Sequence, residues 1–256
     1  MVAFTTRAGY RLHIDPADGR AQELIRSNGD FNTGSLELWR RLVASHRWDL
    51  VVDVGANYGE MLVEAALPPG AEIVAFEPNE RLTPYLEQTL ADAGVPGVII
   101  KKAVSDHSGE SWFFDDTTWS GTSHLTDTST SEDHAGMVHV NLTTLDDHFA
   151  STTAHTACIK IDVEGHETQV LAGARRLLGR LDRVAIMLEV LHMSTGTIGD
   201  LAQEWRMFLY DRRVHRLVRV PGQDTEHIGR LLESGWCYAQ DAVLLPADRA
   251  ADWRPM

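Results

Sequence analysis

Val52-Asp53-Val54-Gly55-Ala56-Asn57-Tyr58-Gly59-Glu60 is an apolar strand that breaks into two glycines and then opens a helix. Leu50 to Val54 is apolar on both faces, as a central parallel strand must be when helices cover it from both sides. Gly55 and Gly59 let the backbone turn sharply and bring a ligand close to the main chain, while the helix N-terminus offers unpaired N–H groups. Before the strand, Leu36, Leu38, Trp39, Leu42 and Val43 fall at helical spacing within Leu36 to His46. After it, apolar runs recur at Glu72 to Phe76, Val98 to Val104, Cys158 to Ile161 and Val184 to Val190, with helical patterns over Gly59 to Ala66 and Leu82 to Ala93. This alternation predicts an α/β fold with a doubly wound, mostly parallel sheet and right-handed crossovers.

Beyond Ile159 to Asp162, a helix is expected through Val170, Leu171, Ala174, Leu177 and Leu178, stopping at Gly179. The remaining pattern predicts a helix over Ile198 to Phe208, a strand over Val214 to Val220, a helix over Glu226 to Glu233 and a last strand over Ala242 to Leu245. Tyr10 to Ile14 reads as an N-terminal strand. One compositional break, Ser105 to Asp147, is rich in Ser, Thr, Asp and His and predicts a hairpin and a long loop, a length that is usually functional. The 256 residues fit a single domain. It comprises an N-terminal segment over 1–48, a cofactor-binding core over 49–190 that includes the polar insert 105–147, and an acceptor-side segment over 191–256.

Lys and Arg number 23 against 37 Asp and Glu, a net charge of −14, which works against docking on phosphate backbones and argues against a nucleic-acid partner. A hydrophobic fraction of 43% with no apolar run of spanning length predicts a globular chain without a membrane partner. Met1 to Asp15 has no apolar core of signal-peptide length. Cys158 and Cys237 lie in apolar runs and are expected as buried free thiols, consistent with a cytoplasmic location.

Phe76-Glu77-Pro78 gives the second half of the signal: Glu77 ends the next strand, 22 residues after Gly55, where a carboxylate accepts hydrogen bonds from ribose hydroxyls. Dinucleotide enzymes share this geometry but need a third glycine for the pyrophosphate. Here that glycine is missing, and Asp53 and Glu60 would repel an anionic pyrophosphate but not a zwitterionic amino-acid tail bearing a sulfonium. The pattern favours S-adenosylmethionine over NAD.

Those two motifs, together with Ala103-Val104-Ser105-Asp106, Thr144-Leu145-Asp146-Asp147, Ile159-Lys160-Ile161-Asp162-Val163-Glu164-Gly165-His166-Glu167, Val170-Leu171-Ala172-Gly173-Ala174 and Met187-Leu188-Glu189-Val190, resemble the FkbM family of S-adenosylmethionine-dependent O-methyltransferases. The resemblance runs from about Leu50 to Val190. It implies a Rossmann-like class I methyltransferase fold with a seven-stranded sheet, and methylation of a hydroxyl on a sugar, glycoside or polyketide-type natural product. It also implies that Asp53, Gly55, Asn57 and Gly59 hold the methionine part and Glu77 the ribose, with Ala103, Val104 and Asp106 bordering the adenine. Asp106 reads equally as a turn residue.

Asp162, at the carboxyl end of the fourth strand, faces the crevice of a doubly wound sheet and is expected at the cofactor and in catalysis. Glu189 ends the fifth strand and His192 follows three residues later, so Asp162, Glu189 and His192 are expected to converge. His192 is the favoured base for the hydroxyl proton and His166 its rival. Asp162 and Glu189 could instead hold Mg²⁺, which the pattern does not favour. Glu164 and Glu167 read as acidic residues steadying a helix N-terminus. Trp119 to His124 could form a lid over a small-molecule acceptor. Two rival functions remain open here: an NAD-dependent oxidoreductase or epimerase, and a cofactor-binding module without catalysis.

Overall fold

The computed structural model describes residues 1–126, 136–222 and 224–248. At its N-terminus β1 (Val2–Thr5) and β2 (Arg11–Ile14) form an antiparallel pair apart from the main sheet. In α1 (Gly19–Arg26) the Asp18 carboxylate caps the helix by accepting from the Arg20 N–H. Only Ala21 and Leu24 of α1 are buried, too sparse a stripe to register in the sequence. α2 (Thr33–Ala44) buries Leu36, Leu38, Trp39, Leu42 and Val43, the stripe its spacing predicts. Fully burying each such leucine is worth about 1.5–3 kcal/mol.

The next units are β3 (Leu50–Val54), α3 (Glu60–Val63), β4 (Glu72–Phe76), α4 (Thr83–Asp92) and β5 (Gly97–Ile100). The expected strand Val98 to Val104 is two strands. The chain leaves the main sheet at exposed Lys101 and Lys102, and β6 (Ala103–Val104) starts a second sheet. With β7 (Gly109–Phe114), β8 (His124–Thr126) and β9 (Met137–Thr143), that sheet has the order β6-β9-β7-β8 around Ala103, Phe113, Val140 and Leu142. The polar insert is therefore a small sheet with its own apolar patch. The part of the expected long loop at 127–135 lies outside the described residues.

The chain continues through α5 (Leu145–His148), β10 (Thr156–Ile161), α6 (Glu167–Ala172), α7 (Arg175–Arg180) and β11 (Arg183–Glu189). The single helix expected here is broken at Gly173, where a Cβ would lie 2.0 Å from the Ser105 carbonyl oxygen. It also runs one residue past Gly179. The last elements are α8 (Thr195–Glu204), β12 (Trp205–Asp211), β13 (Arg216–Arg219), α9 (Thr225–Glu233) and β14 (Cys237–Pro246). The helix expected to reach Phe208 stops at Glu204. Met207 and Leu209 join the core on one face of the sheet and Phe208 and Tyr210 the core on the other, the two-residue alternation of a strand.

The main sheet has the order β13-β12-β14-β11-β10-β3-β4-β5, in which β11, β10, β3, β4 and β5 pair in parallel and β14, β12 and β13 are joined by antiparallel pairings. This is the doubly wound fold, with one strand beyond the expected seven. Chain order runs outward in opposite directions from β3 and β10, so their carboxyl ends form the switch-point crevice where such sheets bind ligands. Both cysteines are free and buried. Among the described residues no helix is long and apolar enough to cross a membrane.

Candidate active site

At the end of β3 the N–H groups of Gly55 and Ala56 both donate to the Phe76 carbonyl, at 3.0 and 3.1 Å. Gly55 has φ +86°, and a Cβ there would stand 1.9 Å from the Asp162 carbonyl oxygen, so the turn admits only glycine. Above it opens a cavity of about 380 Å³, a volume typical of small-ligand sites. Glu77, 5% exposed, lines that cavity and accepts from the N–H groups of Asn57 (2.7 Å) and Asn79 (2.9 Å). Burial pushes its pKa up to about 7, against the pull of those two amides.

The N-terminal segment closes one side. Arg20 donates to Asn57 Oδ1 at 3.2 Å and pairs with Glu60, while the buried Asp18 carboxylate accepts from the Tyr58 hydroxyl (2.6 Å) and the Ser120 N–H (2.9 Å). Segment, glycine turn and insert are thus tied together. Arg20 escaped sequence reading because it sits on a short polar helix distant in sequence from every motif. Ala103, Val104 and Phe113 line the other side, and Trp119 to Ser123 of the expected lid also reach the wall.

Several expected cofactor residues stand elsewhere. Asp53 is fully buried behind the wall, with Lys160 Nζ 3.4 Å away and neither oxygen hydrogen-bonded, and burial raises its pKa to about 6. Gly59 (φ +85°) caps α3 against Leu86, again outside the wall. Asp106 is exposed, does not line the cavity and accepts from the Ser105 hydroxyl.

At the far end of the cavity, Lys160 is the ammonium buried in β10, 3.4 Å from Asp53 and 3.1 Å from Asp162. Burial works against its charge, yet the two carboxylates hold its pKa above the ordinary lysine value. A charged residue inside so apolar a strand was the signal available for it. Asp162 lines the same cavity with one oxygen paired to Lys160 and its charge acting on Glu189, but it is not among the three side chains whose ligand atoms meet. Glu164 takes that place: its Oε2 lies 3.0 Å from His192 Nε2, and one ligand atom from each of Glu164, Glu189 and His192 lies within 4.8 Å of the others. The left-handed φ of Glu164, +56°, turns the chain at this point, and no sequence pattern announces it.

Glu189 is 3% exposed and its Oε2 has no hydrogen-bond partner. Burial, then Asp162, Glu164, Glu167 and Asp241, push its pKa far above the ordinary carboxyl range. Burial and Asp162 also raise Glu164, against the pull of His192. Glu167 accepts from the N–H groups of Val163 (3.2 Å) and Gly165 (2.9 Å), the helix-start role expected of it. His166 stands outside the wall with Nε2 2.9 Å from the Ser105 hydroxyl.

No curated protein is matched by this sequence. Solved structures with similar coordinates include a putative O-methyltransferase from Klebsiella pneumoniae, 12% identical, covering 91% of this chain and 90% of that one, with TM-score 0.45. They include also precorrin-6y C5,15-methyltransferase from Geobacter metallireducens GS-15 (12%, 82% and 86%, 0.44) and an rRNA methylase from Streptococcus thermophilus (14%, 83% and 92%, 0.40). Likenesses of this strength bear on neither substrate nor mechanism. The family model described as Methyltransferase FkbM domain matches residues 53–217, more than half of the chain and the whole stretch from the glycine turn to His192, so the protein belongs to the FkbM methyltransferase family.

Proposed function

We propose that the protein transfers a methyl group from S-adenosylmethionine to a hydroxyl of a small molecule, of the sugar, glycoside or polyketide-type class. The residues present fit the cofactor: a cradle at Gly55 that a Cβ would fill, Asn57 beside it, a buried carboxylate at Glu77 and an apolar border of Ala103 and Val104 in one cavity. Glu77 would take the ribose and the Gly55 to Asn57 turn the methionine part. When bound, the cofactor supplies a methyl group on a positively charged sulfur, open to in-line displacement.

The chain's own tasks are to align the acceptor oxygen and to manage its proton. The observation that carries the reading is that Glu164, Glu189 and His192 meet in the same cavity as the glycine turn. Groups of that kind suit a hydroxyl that must lose a proton, whereas a methyl transfer to an already nucleophilic sulfur would not call for them. The net charge of −14 disfavours an RNA acceptor, and the methyltransferase family leaves the NAD-dependent alternative without support.

The test is incubation with methyl-labelled S-adenosylmethionine and a panel of hydroxylated sugars, glycosides and polyketides, followed by NMR of the products. A labelled methoxy group is the expected result. Label found only on carbon or nitrogen would overturn the O-methyl reading, and no transfer to any acceptor would favour the module without catalysis.

A further inference from the structure

We propose that Glu164, Glu189 and His192 form a binding site for a divalent cation of the Mn²⁺ class at the acceptor end of the cavity. Three ligand atoms already lie within 4.8 Å of one another. Ligands about 2.1 Å from one ion stand roughly 3–4.2 Å apart, so small side-chain rotations close the set. The half-exposed His192 imidazole is free to make them.

An independent observation comes from Glu189. It is 97% removed from solvent by its 3% exposure, lines the cavity, and has an oxygen with no partner. A buried carboxylate is found paired or coordinating a metal. Among the described residues no cation pairs with Glu189: the nearby ammonium of Lys160 is spent on Asp53 and Asp162. Asp162, Glu164, Glu167 and Asp241 instead surround it with further negative charge. The missing partner is a positive charge, and the imidazole beside it supplies a third ligand that a bound ammonium would not need.

Two carboxylates with one imidazole indicate the class of ion. Carboxylates suit Mg²⁺, Ca²⁺ and Mn²⁺, imidazole suits the transition metals, and Mn²⁺ accepts both. His192 is then a ligand rather than the free base its sequence position suggests, and the ion gives an acceptor oxygen in the cavity a positive neighbour. That last role rests on the methyl-transfer reading; the binding of the ion does not.

The experiment titrates the chelator-treated full chain with MnCl₂ alone, read by the loss of free Mn²⁺ signal in electron paramagnetic resonance. One saturable ion per chain is expected, with affinity reduced in Glu189→Gln and His192→Ala by more than the roughly 10–100-fold cost of losing an outer partner of a metal site. Circular dichroism checks the folding of both variants, and the half-exposed position of His192 keeps one of them usable if the other fails. Absence of saturable binding, or equal binding in wild type and both variants, overturns the site. Since no cofactor or acceptor is present, a chain that binds Mn²⁺ as expected yet methylates no hydroxyl faults only the proposed function. One that methylates hydroxyls after chelation and binds no Mn²⁺ faults only the ion.

Discussion

Glu77, just past β4, and Glu189, the last residue of β11, line one cavity and are almost equally buried, yet both oxygens of the first accept hydrogen bonds and, among the described residues, Oε2 of the second has no partner. Each Glu77 oxygen takes a backbone N–H, from Asn57 or Asn79, so this carboxylate is held in place before any ligand arrives. Among the described residues Glu189 Oε2 has no such donor, and the side chain is crowded by other carboxylates. The difference separates a prebuilt end, which positions, from an unfinished end, which needs a positive partner. Chemistry belongs at the second.

The largest expected effect tests that division. His192→Ala removes a group from the unfinished end and should lower turnover by about 10²–10⁴, the scale of losing a group that manages the acceptor's proton, whether as a base or by holding an ion beside the oxygen. S-adenosylmethionine affinity should hold, because the prebuilt end is untouched. Full turnover in the variant would move the chemistry elsewhere.

A smaller effect is expected at the prebuilt end. Glu77→Ala should weaken S-adenosylmethionine binding by about 1.5–3 kcal/mol, the worth of a charge-assisted hydrogen-bond pair, measured by calorimetry on protein shown to be folded. Unchanged affinity would take Glu77 out of the cofactor site and collapse the comparison.

Sequence reading reached the prebuilt end more fully than the other, for a physical reason. Gly55 and Glu77 are dictated by local geometry, a turn no side chain fits and a strand end, and such constraints write themselves into neighbouring residues. The trio of Glu164, Glu189 and His192 depends on how β10 and β11 lie side by side and on a left-handed residue, so only two of its members were legible. Lys160 pairs with Asp162, and Glu164 is the carboxylate whose oxygen meets the other two. In the fold, the parallel strands were plain from their apolar runs. β12 was missed because Trp205 to Asp211 is buried on both faces, which hides the alternation that separates strand from helix.

Glu189→Gln sharpens the comparison through stability. The folded-state pKa of Glu189 is raised above its ordinary 4.5, so the native protein keeps a proton that the unfolded chain has released. This group's stabilising contribution is therefore complete below about pH 4.5 and shrinks as pH rises above it. Glutamine carries no such dependence, so in the presence of chelator the variant should gain on wild type above that pH, by up to about 1.4 kcal/mol per unit. Urea unfolding at pH 5, 6 and 7 measures it. A variant less stable than wild type at pH 7 would mean that the Glu189 charge has a partner.

The smallest expected effect concerns His166, the sequence's other candidate for the hydroxyl proton. It lies in the same motif as Asp162 and Glu164, but its ring meets the Ser105 hydroxyl and does not line the cavity. A side chain outside the wall can neither receive the proton directly nor align the acceptor. His166→Ala should therefore leave kcat and KM within about twofold. The informative measurement is kcat against pH for this variant beside His192→Ala. If the His166 variant instead lost turnover by about 10²-fold with its unfolding midpoint unchanged, the ring would have to enter the cavity during the reaction. The division between a prebuilt and an unfinished end would then describe only the resting chain.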